Sequence, residues 1–332
     1  MSHDSPDSRT HSRSPRRSTD VAEIERVTEL CAALERSVLA ALEEARGRVE
    51  DVVVVLDLDE TCFTANTTDA LATSAWFEDL QQRLVPILRS EAGMKPVEVL
   101  LESLALVDCF YPLVPAKVTE EALPGLLRKY KAEGVATIGL TARGPDLAQA
   151  TWQQFGDECP LVFDSLSPPL DSSSLKDLEE LLKANGHAAP DCPDDWPGIL
   201  QDRGVWFTAN ANKGAMLRHT LKAGLHVIFA DDSERHLHNV LAALDGHAAS
   251  VRVLHYTAAK DAAKARLDAV SCDLALAGHC AALYQKRDRR FLELVQRKPE
   301  VLKAIVGHQV QHLESQQQPV DASLRSLASL LQ

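Results

Sequence analysis

The chain has 332 residues, 45% hydrophobic and 25% charged, the mix of a folded globular protein and not of a largely disordered one. With 48 Asp and Glu against 35 Lys and Arg the formal net charge is −13, which disfavours a general affinity for nucleic acid or an anionic membrane. No apolar run approaches the roughly 18–20 residues that span a bilayer. The seven cysteines (Cys31, Cys62, Cys109, Cys159, Cys192, Cys272, Cys280) are odd in number, scattered and without a CxxC pair. They describe neither a disulfide framework nor a zinc site, and buried, reduced thiols are expected. Arg16 and Arg17 precede no apolar stretch, so no secretory signal is read and a cytoplasmic setting is expected.

Residues 1–19, rich in Ser, Arg, Asp and Pro, read as a disordered leader. Asp20 and Glu23 have capping-box spacing, and Val21, Ile24, Val27, Leu30, Leu34, Val38 and Leu42 form one apolar stripe, which predicts an N-terminal helix within 20–49. That stripe packs on its own domain or across a dimer seam; the oligomeric state stays open. Val52–Leu56 is a continuous apolar run, the mark of a strand buried on both faces of a parallel sheet. Similar runs recur at Val135–Leu140, Gly204–Phe207, Val227–Ala230 and Val251–Leu254, with helical patterns at Glu120–Lys131, Asp146–Phe155, Gly214–Leu221 and Glu234–Leu244 between them. Alternation of this kind predicts an α/β fold with a parallel sheet flanked by helices. The core spans 50–63 and 112–258. Residues 64–111 form a helical insertion with Trp76, Phe77, Leu80, Leu84, Ile87 and Leu88 at helix spacing. Residues 165–203 read as a loop-rich insertion around one short helix, and 259–332 as a helical extension broken at Pro299.

Two of the core strands end in paired carboxylates. Val52–Leu56 runs into Asp57-Leu58-Asp59-Glu60-Thr61, and Val227–Ala230 into Asp231-Asp232. Open α/β sheets bind ligands at their carboxyl edge, and acidic groups gathered there require a cation or a proton between them. Convergence of the pairs makes a hard-cation site such as Mg²⁺ plausible; apart, they are two surface turns. Thr141 adds a hydroxyl at a third strand end, and Lys213 adds an ammonium at a helix start. Together with helix N-terminal amides these are the donors that a phosphoryl group requires.

In this order the four pieces resemble the motifs of the haloacid dehalogenase superfamily: DxDx(T/V) at Asp57–Thr61, the strand-end Thr141, Lys213, and the acidic pair Asp231-Asp232. The resemblance covers about 50–258. The strings Trp76-Phe77, Gly139-Leu-Thr-Ala-Arg-Gly144, Phe207-Thr208 leading to Asn212-Lys213-Gly214, and His255-Tyr256-Thr257 are similar to an uncharacterised bacterial family, domain of unknown function 2608. The superfamily resemblance implies a Rossmann-like core, with 64–111 in the place of a type-one cap. It implies a nucleophilic Asp57 that forms an aspartyl phosphate, with Asp59 as general acid and base. It implies Mg²⁺ on the Asp57 carboxylate, the Asp59 main-chain carbonyl and Asp231, with Asp232 direct or through water. Thr141 and Lys213 would hold the phosphoryl oxygens. Dehalogenases of that superfamily lack the second Asp, and its phosphonatases need a cap lysine where 64–111 offers only Lys95.

The expected function is thus Mg²⁺-dependent hydrolysis of a small phosphomonoester; a binding or regulatory protein with little turnover is the alternative. Arg143 reaches a second anionic group of the substrate or forms a structural ion pair. His236 and His238 diverge on a helix and are not expected to ligate a metal together. Cys62 reads as a buried small side chain. Lys286, Arg287, Arg289 and Arg290 read as a solvated face.

Overall fold

A computed structural model of the chain describes residues 24–156, 161–164, 172–188, 196–297, 300–320 and 322–331. The leader 1–19, Asp20 and Glu23, Cys159, the Pro168-Pro169 pair, residues 189–195 with Cys192, and Pro299 lie outside the described residues.

Where the stripe at 20–49 predicts one helix, the first described element is a strand, β1 (Ile24–Val27). It pairs in parallel with residues 253–256, Ile24 opposite Val253 and Val27 opposite Tyr256. The helix, α1 (Leu30–Glu44), begins only afterwards. Two β-branched residues beside an open sheet edge gain a hydrogen-bond ladder there. The start of α1 is set by a remote group: the Glu120 carboxylate accepts from the amides of Leu30 and Cys31, the latter at 2.9 Å. A carboxylate at a helix N-terminus satisfies orphan donors and complements the dipole. Leu30, Leu34 and Val38 then pack against this chain's own sheet.

Next comes β2 (Val52–Leu56), all five residues buried. A hairpin of β3 (Phe63–Ala65) and, further on, β4 (Ala116–Val118) forms the stem of the insertion, with Phe63 opposite Val118. Within it lie α2 (Ser74–Glu91) and α3 (Pro96–Phe110). The Thr73 hydroxyl accepts from Trp76 N to start α2, and Pro96 opens α3. The core resumes with α4 (Leu123–Glu133), β5 (Ala136–Thr141), α5 (Ala148–Phe155), α6 (Ser172–Ala184), β6 (Leu200–Asp202), β7 (Val205–Phe207), α7 (Lys213–Thr220), β8 (His226–Asp231), α8 (Glu234–Leu244) and β9 (Ser250–Tyr256). Among the described residues five helices follow: α9 (Ala258–Arg266), α10 (Ala269–Gln285), α11 (Arg289–Arg297), α12 (Glu300–Ser315) and α13 (Ala322–Leu331).

The seven-stranded sheet has the order β1-β9-β8-β2-β5-β7-β6, parallel throughout except between β6 and β7. Alternate residues of β2 enter opposite cores. Val52, Val54 and Leu56 pack with α1 and α4, while Val53 and Val55 pack with Leu182, Met216, Leu237 and Val240. Burial on both faces explains the uninterrupted apolar run. From β2 the chain builds outward through β5 and β7, then crosses back to β8 and β9 on the other side. The reversal puts a topological switch point at the carboxyl ends of β2 and β8, where doubly wound sheets bind ligands.

The insertion and the C-terminal helices share one core. Trp76, Leu80, Leu84, Leu88 and Phe110 from α2 and α3 pack with Cys272, Leu276, Phe291, Leu302, Val306 and Leu327. Arg83 on α2 pairs through both terminal nitrogens with the buried Asp273 on α10, at 2.8 and 3.0 Å. Ile87, expected on the apolar face, stands exposed on α2, because the packed stripe runs through Leu80, Leu84 and Leu88.

Candidate functional site

Asp57 is the first residue past β2, and its amide still donates to Ala230 O at 2.9 Å, so the ladder with β8 carries the carboxylate to the sheet edge. A tight turn follows in which the amides of Cys62 and Phe63 both donate to Leu58 O, at 2.8 and 3.0 Å. Glu60 adopts a left-handed φ of 59° there, a conformation uncommon for a residue with a side chain and enriched at functional sites. Thr141 ends β5, buried, its hydroxyl accepting from Arg143 N at 3.1 Å. Asp231 ends β8.

Lys213 opens α7, whose start is capped by Asn212 Oδ1 accepting from Ala215 N at 3.0 Å. Gly214 permits the approach of α7 to α8: a Cβ at this position would lie 2.1 Å from Asn239 O. The Lys213 side chain is 1% exposed, and its Nζ donates to Asp57 Oδ1 at 2.5 Å and to Asp231 Oδ2 at 2.7 Å. Carboxylate oxygens of Asp57, Asp231 and Asp232 lie within 4.8 Å of one another. Four of the six expected residues, Asp57, Lys213, Asp231 and Asp232, therefore meet at the ends of adjacent strands and the start of α7, while Thr141 ends the neighbouring strand β5 with its hydroxyl on Arg143 N.

The Asp59 carboxylate stands apart from that cluster. Arg143 grips both its oxygens, Nε to Oδ2 at 2.9 Å and Nη2 to Oδ1 at 2.7 Å. Of the two readings of Arg143, the structure takes the ion pair.

Three carboxylates around one ammonium leave an excess of negative charge. Burial pushes the Asp57 carboxyl well above the ordinary carboxylate range; Lys213 opposes this, while Asp231, Asp232 and Asp59 add to it. Burial pushes Asp232 up to about 7, helped by the charge of Asp231. Burial would also raise Asp231, but Lys213 and the His236 hydrogen bond outweigh it and hold that carboxyl down at about 2. Burial disfavours the Lys213 ammonium, and its two carboxylate partners reverse the shift and raise it.

Sequence reasoning missed two neighbours. His236 Nδ1 lies 3.1 Å from Asp231 Oδ2, while His238 points to the exposed Glu234 at 3.8 Å. The signal for His236 is its place in the first turn after the acidic pair. Lys260 on α9 lies 2.6 Å from Glu78 of the insertion and 3.6 Å from Asp232, and no motif pointed to it. Cys62 is buried, as expected, and burial raises its thiol well above the ordinary value, leaving it an inert packing group.

Fold and site thus define an α/β protein whose mostly parallel sheet carries a buried carboxylate cluster at its switch point. The family model described as "Protein of unknown function (DUF2608)" matches residues 23–287, and the chain belongs to that family. No curated protein and no solved structure matches it. Among the described residues, no helix is long and apolar enough to cross a membrane.

Proposed function

We propose that the protein is a Mg²⁺-dependent phosphomonoester hydrolase of the haloacid dehalogenase type, with 64–111 as its cap and a small cytoplasmic phosphate ester as its substrate. The observation that carries this reading is the buried Asp57, fixed through one oxygen by the Lys213 ammonium that Asp231 also holds, at the sheet's switch point.

The donor set fits a hard cation. It consists of oxygens, Asp57 and Asp231 are buried and Asp232 half-buried, and its charge exceeds what Lys213 balances. Asp57 and Asp231, with Asp232 direct or through water and the Asp59 carbonyl, would hold Mg²⁺. Bound there, Mg²⁺ would offset the repulsion between an anionic nucleophile and an anionic ester.

The chain's own groups do the rest. The Asp57 oxygen not held by Lys213 attacks phosphorus; the Asp57 O–P bond forms as the ester P–O bond breaks. Asp59, once one of its oxygens has turned from Arg143 toward the ester and carries a proton, gives that proton to the departing oxygen. In the second step Asp59 takes a proton from water, the water oxygen attacks phosphorus, and phosphate leaves as the Asp57 carboxylate is restored. Lys213 and the Thr141 hydroxyl donate to the phosphoryl oxygens as charge develops on them. The insertion, linked to the cluster from Glu78 through Lys260 to Asp232, would exclude water during the first step.

A panel of phosphomonoesters assayed with the full-length chain tests this. Turnover that needs Mg²⁺ and vanishes in Asp57→Asn is expected. An inert wild type across the panel would sink the reading, and Mg²⁺ binding retained without turnover would favour a binding protein instead.

A further inference from the structure

We propose that Arg143 is a positioning residue for Asp59, and that it ties the direction of this carboxylate to the seat of the helical insertion. The inference rests on the phosphatase reading and deepens it.

The Arg143 side chain is 3% exposed. Its Nε and Nη2 form a planar fork on the two Asp59 oxygens, the geometry in which a guanidinium fixes a carboxylate in direction as well as place. Its Nη1 donates to Thr151 Oγ1 at 2.9 Å and Gln154 Oε1 at 2.7 Å, both on α5. The rings of Phe63 and Tyr111 each lie 4.8 Å from Cζ, within the range of cation–π contact. A guanidinium held in this way has little left to offer a substrate anion. Its effect on the reaction passes through Asp59.

The groups around this fork come from both ends of the insertion. Phe63 opens β3, by which the chain enters it, and Tyr111 stands where α3 ends and the chain returns. Gln154, whose oxygen accepts from Arg143, donates through Nε2 to Tyr111 O at 3.0 Å and Val114 O at 3.1 Å. A shift of the insertion against the sheet therefore moves Tyr111, which touches Arg143 directly and Gln154 of α5 through its carbonyl, and so disturbs the fork. Asp59 has both oxygens on Arg143, so acting as the acid needs one of them to leave the fork and take up a proton before it meets the leaving oxygen. Alignment of the acid and seating of the insertion become one event.

The test compares two leaving groups on the full-length chain with Mg²⁺: the alkyl phosphate that the wild type hydrolyses best, whose alkoxide requires a proton, and p-nitrophenyl phosphate, whose phenolate leaves without one. Arg143→Met should cut kcat on the alkyl ester by about 100-fold or more, within the range of general acid catalysis, at nearly unchanged KM. The first burst of p-nitrophenolate should keep a rate within about tenfold of the wild type, because that step requires no acid. Arg143→Lys keeps the charge, loses the fork, should show the same split, and decides the matter if the Met variant does not fold. Gln154→Leu should show the split at smaller size. Equal losses on both esters, or losses in KM alone, overturn the positioning role. An unchanged Gln154→Leu beside a split in the Arg143 variants overturns the link to the insertion. A wild type that hydrolyses neither ester removes the phosphatase reading and this proposal together, whereas an active wild type with uniform losses removes only this one.

Discussion

Gly214 and Asn239 hold α7 and α8 at a distance that no side chain at position 214 tolerates: a Cβ would stand 2.1 Å from the Asn239 carbonyl oxygen and 2.5 Å from its carbon. The obstacle is backbone, so it cannot rotate away, and α7 must move. Lys213 precedes Gly214 and is delivered to Asp57 by this packing. Gly214→Ala should cost about 1–3 kcal/mol of stability through overpacking, and an ångström of displacement at Lys213 should lower turnover by about 100-fold. Gly278 on α10 has nothing within 4 Å of a built Cβ, so Gly278→Ala is the control and should stabilise by about 0.5–1 kcal/mol. Thermal melts and turnover of the two variants check this; equal behaviour would refute the steric account.

Lys213 is the cation between two buried carboxylates, so its removal leaves like charges facing each other. Lys213→Met should lose about 3–5 kcal/mol at neutral pH. The sign of the pH dependence follows from Asp231. In the wild type its carboxyl is held down at about 2, so its contribution is present above the ordinary carboxylate range and fades as pH falls toward 2. Without the ammonium that depression disappears, and protonation of one carboxylate relieves the repulsion. The deficit of the variant should therefore be large at pH 7.5 and shrink toward pH 4, as urea melts at the two values would show. A deficit independent of pH would assign Lys213 to packing.

His236 faces the Asp231 carboxylate from the first turn of α8, and burial first, then Lys213, lowers its basicity and keeps the ring neutral near pH 7. A neutral imidazole donating from Nδ1 fixes the rotamer of a carboxylate without adding charge. If Asp231 is a Mg²⁺ ligand, His236→Ala should weaken Mg²⁺ binding by about 10–100-fold, the usual cost of losing a group that orients a ligand. Calorimetric titration with Mg²⁺ measures it, and His236→Gln, which retains a donor, should recover part of the loss. Affinity unchanged in His236→Ala would remove His236 from the metal site.

Much of the site was legible because each piece lies at the end of a locally coded element. β2 reads as a doubly buried strand from Val52–Leu56 alone, and Asp57 must then sit at its edge. α8 runs from Glu234 to Leu244, as its periodicity predicts. What was illegible depends on partners far away in the chain. β1 is a strand only because residues 253–256 offer an edge, and α1 starts where Glu120 reaches its amides. The fork of Arg143 on Asp59 spans 84 residues, and Lys260 meets Glu78 across an insertion boundary. Periodicity is silent about contacts of that kind. The two helical segments at 64–111 and 259–332 read as separate additions, although the contacts of Trp76, Phe110, Cys272 and Leu302 make them one core.

If the acidic cluster takes up Mg²⁺, the Asp232 carboxyl should limit binding toward low pH. Burial and Asp231 push its carboxyl up to about 7, and a ligating carboxylate must be deprotonated. A group raised in this way holds its proton below about 7, so Mg²⁺ must displace it there and binding falls with pH by up to about tenfold per unit. Above 7 the dependence should level off. Titrations in buffers of different ionisation enthalpy should show about one proton released per Mg²⁺ at pH 6 and fewer at pH 8. In Asp232→Asn the slope below 7 should flatten; a slope that persists unchanged would assign the proton to another member of the cluster.

Phe291 on α11 is fully buried in the core that α2 and α3 share with the C-terminal helices, and that core is distinct from the two on either face of the sheet. Phe291→Ala should cost about 3–5 kcal/mol, the transfer of the ring plus the cavity it leaves. Its effect on the site follows from which core is damaged. The carboxylate cluster stands on β2, β8 and α7, whose packing the variant leaves intact, so Mg²⁺ affinity should stay within about threefold of the wild type, an interaction energy below 1 kcal/mol. On the phosphatase reading substrate KM should rise, because α2 loses the support that holds its Glu78 to Lys260 beside Asp232. Calorimetry with Mg²⁺ and steady-state kinetics on the same preparation separate the two readouts. Loss of Mg²⁺ affinity in step with KM would mean that the C-terminal helices brace the sheet itself, and the proposed division between a cation-holding sheet and an ester-selecting helical body would fail.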